Sequence, residues 1–145
     1  MKNIILILLV LTYALSGCQP KAPEPAPIGR IWKAISVKQN GGLVYTEGGT
    51  SNVKPSYAQF RLDLTSKDQV TFVDIDGRKI VGTWSLSPDN NRLILENLTP
   101  PPSESTGNIE FYITTPATES RLELKRTTES RKTGNSVNEY VLVPE

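Results

Sequence analysis

From Arg30 onward the chain alternates between apolar and polar positions with a period of two, and it shows almost no spacing of three or four. Period-two alternation is the signature of a half-buried strand. "YAQFRLDLT" places Ala58, Phe60, Leu62 and Leu64 on one face, with Gln59, Arg61 and Asp63 on the other. "KIVGTWSLS" places Ile80, Gly82, Trp84 and Leu86 together. The segments "IWKAISV", "GLVYT", "QVTFVDI", "RLILEN", "IEFYITT", "RLELKR" and "EYVLV" repeat the theme, for nine candidate strands between Ile31 and Val143.

Turn chemistry separates these strands. Asn40-Gly41-Gly42 joins the first two, and Pro88-Asp89-Asn90-Asn91 makes a later turn. Asp76-Gly77 predicts a type I′ hairpin, which needs the positive φ that Asp-Gly tolerates. Thr99 to Asn108, "TPPPSESTGN", is the one long polar loop. Tight turns in succession make strands neighbours in space as well as in sequence, hence an antiparallel meander. Closing about eight strands removes the exposed edges, so the expected fold is an all-β up-and-down barrel, with a two-sheet sandwich as the alternative.

The amino terminus follows other rules. Lys2 precedes an apolar run from Ile4 to Leu15, about a dozen residues, which matches a signal-peptide core. A transmembrane helix would need roughly 20. Leu15-Ser16-Gly17-Cys18 then resembles the lipobox of bacterial lipoproteins and includes the single cysteine of the chain. That resemblance implies cleavage before Cys18, a diacylglycerol on its sulfur and acylation of its amine. Two or more acyl chains hold a protein on a membrane where one binds only marginally. It also implies retention at the outer membrane, because Gln19 stands where inner-membrane lipoproteins commonly carry Asp. Pro20, Pro23, Pro25 and Pro27 make Gln19 to Pro27 a stiff spacer that reaches about 30 Å at ~3.1 Å per residue. The expected organisation is therefore a signal peptide over 1–17, a lipidated cysteine and linker over 18–29, and a barrel over 30–145.

A second resemblance concerns the barrel. Gly29-Arg30-Ile31-Trp32 opening the first strand, and Gly82-Thr83-Trp84-Ser85-Leu86 followed by Asp89-Asn90 and "RLILE", are similar to lipocalin-like domains of small Gram-negative lipoproteins. The first-strand spacing is Gly-x-x-Trp, where the lipocalin signature has Gly-x-Trp. The resemblance implies a calycin-type barrel.

Composition narrows the chemistry further. The 145-residue chain is one domain's worth, with 37% hydrophobic and 21% charged residues. Its 16 Lys+Arg against 15 Asp+Glu become 15 against 15 once Lys2 is removed. Such a balance supplies no basic patch for nucleic acid. With no histidine there is no histidine general base, no Ser-His-Asp triad and no histidine-bound metal. One cysteine excludes an internal disulfide. Asp74-Ile75-Asp76-Gly77 lacks the further ligands and closing Glu of a calcium loop, so it reads as a turn. Glu96, Glu104 and Glu110 are scattered and read as solvated charges. No catalytic residue, metal or cofactor is expected.

Two functions of different kind remain. In the first, the barrel binds a small apolar or amphipathic ligand, with Phe60, Gly82 and Trp84 as the binding residues. Gly82 would leave space above the sheet, and Trp84 would border it. In the second, a filled barrel docks on an envelope protein through its loops. Trp84 shares a face with Ile80 and Leu86 and reads first as core packing, Trp32 as a plug at one barrel end, and Tyr57, Tyr112 and Tyr140 as a rim.

Overall fold

A computed structural model describes residues 26–102 and 105–145. The segments expected as signal sequence and lipobox, with Cys18, and most of the expected proline-rich spacer lie outside the described residues, as does Glu104. The strands are β1 (Ile31–Gln39), β2 (Gly42–Thr46), β3 (Arg61–Asp63), β4 (Gln69–Val73), β5 (Lys79–Leu86), β6 (Arg92–Thr99), β7 (Ile109–Ile113), β8 (Leu122–Arg126) and β9 (Asn138–Pro144). Among the described residues the only helical elements are two 3-10 turns, Pro55–Gln59 and Arg131–Thr133.

Every pairing is antiparallel, and β3 to β9 follow one another in space as in sequence. Closure comes from β1, which pairs with β9 over nearly its whole length, from Trp32↔Pro144 to Gln39↔Asn138. Its opposite edge is shared: Ile31 to Lys33 pair with β3, and Ser36 to Gln39 pair with β2. Eight strands, β1 and β3 to β9, therefore close an up-and-down barrel, and β2 is an appended ninth.

An appended strand presents unpaired backbone groups, which invite pairing with other chains. Here the chain covers that edge itself. Lys54 N–H donates to the Val44 carbonyl at 2.9 Å, and the Asn52 side chain both accepts from Thr46 N–H and donates to its carbonyl, each at 2.8 Å.

The alternation holds with two phase slips. Trp32 and Ala34 are buried, but Val37 is the next buried residue, because a bulge lies between Ala34 and Ser36 in the pairing with β9. Leu93 and Leu95 are buried, and then Leu98, after Asn97 adopts a positive φ of 54°. A bulge inserts one residue and returns the next side chain to the inner face.

The stretch expected to run as a strand from Tyr57 differs. Pro55 opens a 3-10 turn in which Tyr57 is buried and Ala58 is exposed, so the inward set begins at Phe60 and continues through Leu62 and Leu64. Proline presets a helical φ in a first turn, which outweighs alternation over so short a segment.

The Asp74–Arg78 turn also differs from a type I′ hairpin. Gly77 is left-handed at φ 73° while Asp76 is not, and Gly77 N–H donates to the Asp74 carbonyl at 2.8 Å. This is a type I turn closed by a left-handed glycine, the usual three-residue hairpin. Asn40-Gly41, with φ of 49° and 80°, does supply the two positive angles of a type I′ turn.

Candidate functional site

The lumen is filled. Phe60 stacks on Tyr140, Phe72 meets Phe60 edge-on, and Phe111 and Tyr57 meet Tyr140 edge-on, with ring centroids 4.8 to 6.1 Å apart. Leu62, Leu64, Ile80, Leu93, Leu95, Leu122, Leu124 and Leu142 complete this packing. An eight-stranded barrel is just wide enough to be filled in this way.

The three residues expected to bind a ligand are not brought together around a cavity. Phe60 is fully buried within the aromatic cluster. The space beside Gly82 is occupied: a Cβ there would lie 2.5 Å from the Glu96 carbonyl and 2.9 Å from Leu98 Cδ2. The glycine accommodates the bulge that carries Leu98 inward. Trp84 is half-buried against the core and donates its indole N–H to the Ser66 carbonyl at 2.8 Å. Trp32 is fully buried, and its indole N–H donates to the Ile28 carbonyl at 2.8 Å, fastening the incoming chain to the barrel. Tyr57 and Tyr140 belong to the core rather than a rim, while Tyr112 is 50% exposed on the outer wall.

Clefts lie at both ends of the barrel. At the end where the chain enters, Ala26 and Pro27 face the β5–β6 turn and the β7–β8 connection across a cleft of about 600 Å³. It is the larger cleft and the less chemically furnished. Its single charged side chain, Asp89, is engaged by Ser87 Oγ and by Asn91 N–H at 3.2 Å. The Ser87 hydrogen bond, foremost, holds the Asp89 carboxyl below the usual aspartate range.

The opposite end carries the polar chemistry. Asn138, the first residue of β9, faces inward and is almost fully buried. Its amide donates to the hydroxyls of Tyr57 at 3.3 Å and Tyr140 at 3.2 Å, and its carbonyl accepts from Ser136 Oγ at 2.6 Å. Gln39 donates to Tyr57 Oη at 2.9 Å. A buried polar residue that satisfies its bonds in this way fixes the positions of what surrounds it. Burial, foremost, raises both phenol pKa values above the ordinary tyrosine value.

Beside this network a cleft of about 300 Å³ opens between Asp74 after β4, Pro102, Ser105, Thr106 and Asn108 after β6, and Arg126 at the end of β8 with Thr128 to Lys132 beyond it. Lys132 Nζ bridges Asp74 at 2.9 Å and Asp76 at 2.7 Å. The Asp-x-Asp-Gly stretch thus holds a lysine, and no group of side chains fit for a metal occurs among the described residues. For Asp76, burial is the largest single influence and acts upward, but the Lys132 hydrogen bond and charge, with Arg78, outweigh it and lower the pKa. Of the scattered acids, Glu110 pairs with Arg92 at 2.8 Å on the outer wall, and Glu96 is exposed.

Sequence reasoning passed over Arg126, Lys132 and Asn138. A signal for two of them was present in the alternation. Arg126 has the parity of the inward Leu122 and Leu124, and Asn138 has that of Tyr140 and Leu142.

No family model matches this chain, and no curated protein is similar to it. Among solved structures, an uncharacterized protein from Bacteroides eggerthii DSM 20697 is similar at a TM-score of 0.49 and 11% identity, over 80% of this chain and 98% of that one. Similarity at that level carries no inference about function.

Proposed function

We propose that this chain is an outer-membrane-anchored lipoprotein: lipid on Cys18, a proline-rich spacer, and a packed barrel that binds through the loops at the end away from the spacer. The observation that carries the reading is the filled lumen. With Phe60 stacked on Tyr140 and Leu98 seated beside Gly82, interior volume is spent on packing, so recognition is assigned to the rim. The role is binding rather than catalysis, in a chain without histidine whose Glu110, Asp74 and Asp76 are held in ion pairs.

Docking of an envelope protein is a second reading of the same body. Leu43 in the appended β2 and Val53 after it are 58% and 71% exposed, and apolar side chains so placed suit a protein contact.

Two measurements test the proposal. Cells fed labelled palmitate should label the wild-type chain and not Cys18→Ala, and label persisting in the variant overturns the anchor. Native mass spectrometry of the processed protein should then show a retained small molecule or a protein partner. A small molecule favours the first reading, and a stoichiometric partner favours docking.

A further inference from the structure

At the mouth of the barrel, Arg126 occupies a position that β8 otherwise gives to apolar side chains. It is the third inward residue of β8 after Leu122 and Leu124, and it lies opposite Phe111 of β7. Three arginines have a buried Nε without an acceptor among the described residues: Arg30, Arg78 and Arg126. Arg30 donates through Nη1 to the Glu119 carbonyl and stacks over Trp32, and Arg78 pairs with Asp76. Arg126 alone of the three has no hydrogen bond or ion pair within the described residues.

A half-buried guanidinium without an acceptor is costly, since a removed donor–water contact is not replaced. Water or a bound oxyanion can serve the rest of the fork, and an oxyanion does so with paired, charge-assisted bonds. Arg126 lines the 300 Å³ cleft, a volume at the low end of small-molecule sites. Two acids share the cleft: Asp74 is turned to Lys132, which also holds Asp76, and the exposed Glu129 makes no bond to Arg126. Arg126, Arg131 and Lys132 bring three positive charges to the same walls. Thr106, Asn108 and Thr128 bring hydroxyl and amide groups to the same cleft. The Asn138 network inside the barrel holds the Tyr57 and Tyr140 hydroxyls, and the Arg126 charge acts on both phenols.

We infer that this cleft is a binding site for a small oxyanion, a carboxylate or phosphate group carried by a compact polar molecule, with Arg126 as its principal contact. The planar guanidinium fork matches either group through paired N–H donors. The inference rests on reading the rim as the recognition surface and commits that surface to an anionic ligand. Whether the chain is lipidated has no bearing on it.

The test is titration of the full-length chain in detergent with sodium acetate, inorganic phosphate and glucose, followed through the Arg Nε–Hε resonances. The Arg126 signal should shift and saturate with one or both anions and stay still with glucose. Saturation by acetate alone identifies a carboxylate ligand, and by phosphate alone a phosphate one. Arg126→Met keeps the stem and should weaken binding by roughly tenfold or more, as expected for loss of a charge-assisted hydrogen bond. Arg126→Lys keeps the charge but not the fork and should fall between. Arg92→Met, on the outer wall, should bind as wild type. Circular dichroism of each variant confirms folding, and the Arg126→Lys arm stands if Arg126→Met fails to fold. No saturable shift, or equal affinity in Arg126→Met and wild type, overturns the inference.

Discussion

Tyr140 lies over Phe60 with ring centroids 4.8 Å apart and planes 24° from parallel, and its hydroxyl accepts a hydrogen bond from Asn138 at 3.2 Å. One residue thus joins the apolar lumen to the polar mouth. Tyr140→Phe keeps the stack and removes one bond to a buried amide that has other partners, a loss of about 1 kcal/mol. Tyr140→Ala also empties ring volume against Phe60, Phe111 and Tyr57, at about 3–5 kcal/mol. Urea denaturation should separate the two variants clearly.

Alkaline titration should report the same cluster. Burial holds the Tyr57 and Tyr140 phenols neutral beyond the pH at which unfolded tyrosine ionises. The unfolded chain then loses protons first, so these groups contribute full stability below about pH 10 and lose it as the pH rises above. Unfolding midpoints should fall above that pH, and less steeply in Tyr140→Phe.

Gly82→Ala forces a methyl against the Glu96 carbonyl and Leu98. Overpacking of this kind costs about 1–3 kcal/mol. A thermal melt should show a lowered midpoint, and an unchanged midpoint would mean that the Leu98 bulge yields.

The two tryptophans should differ in fluorescence. Trp32 is sealed, and Trp84 is half-buried with its N–H on a loop carbonyl. Acrylamide should quench the Trp84 component preferentially, and Trp84→Phe should leave an emission that resists quenching. Trp32→Phe should cost more stability than Trp84→Phe, because it loses both the sealed packing and the bond to Ile28.

Acid should loosen the rim before the lumen. Lys132 and its neighbours keep Asp76 ionised below the usual aspartate range, so this contribution is present above the unfolded aspartate pKa and is lost as pH falls through the lowered folded value. Asp76 is 40% exposed, and solvent screening holds the effect under about 1 kcal/mol. In Lys132→Met the acid dependence should flatten, by the difference in urea midpoints between pH 3 and pH 6.

The meander was legible in the sequence because period-two alternation and turn residues are local properties. Nine segments between Ile31 and Val143 became nine strands, and Asn40-Gly41 turned as its left-handed tolerance allows. Closure was legible only as a tendency. Which strands close the barrel depended on β1 dividing one edge between β2 and β3, a choice made by long-range pairing. The slips at Ser36 and Asn97 were also invisible locally, since a bulge shifts phase without changing composition.

The mouth shows the same limit. The sequence by itself determined that Arg126 shares the parity of Leu122 and Leu124, but parity gives only a face. That this face ends at a rim, in a cleft shared with Asp74, Glu129 and Lys132, was decided by where the turns after β4, β6 and β8 converge. Likewise Gly82 announced free space, and the tertiary structure decided that Leu98 from the neighbouring strand would take it, because a close-packed barrel leaves no room beside a glycine unfilled.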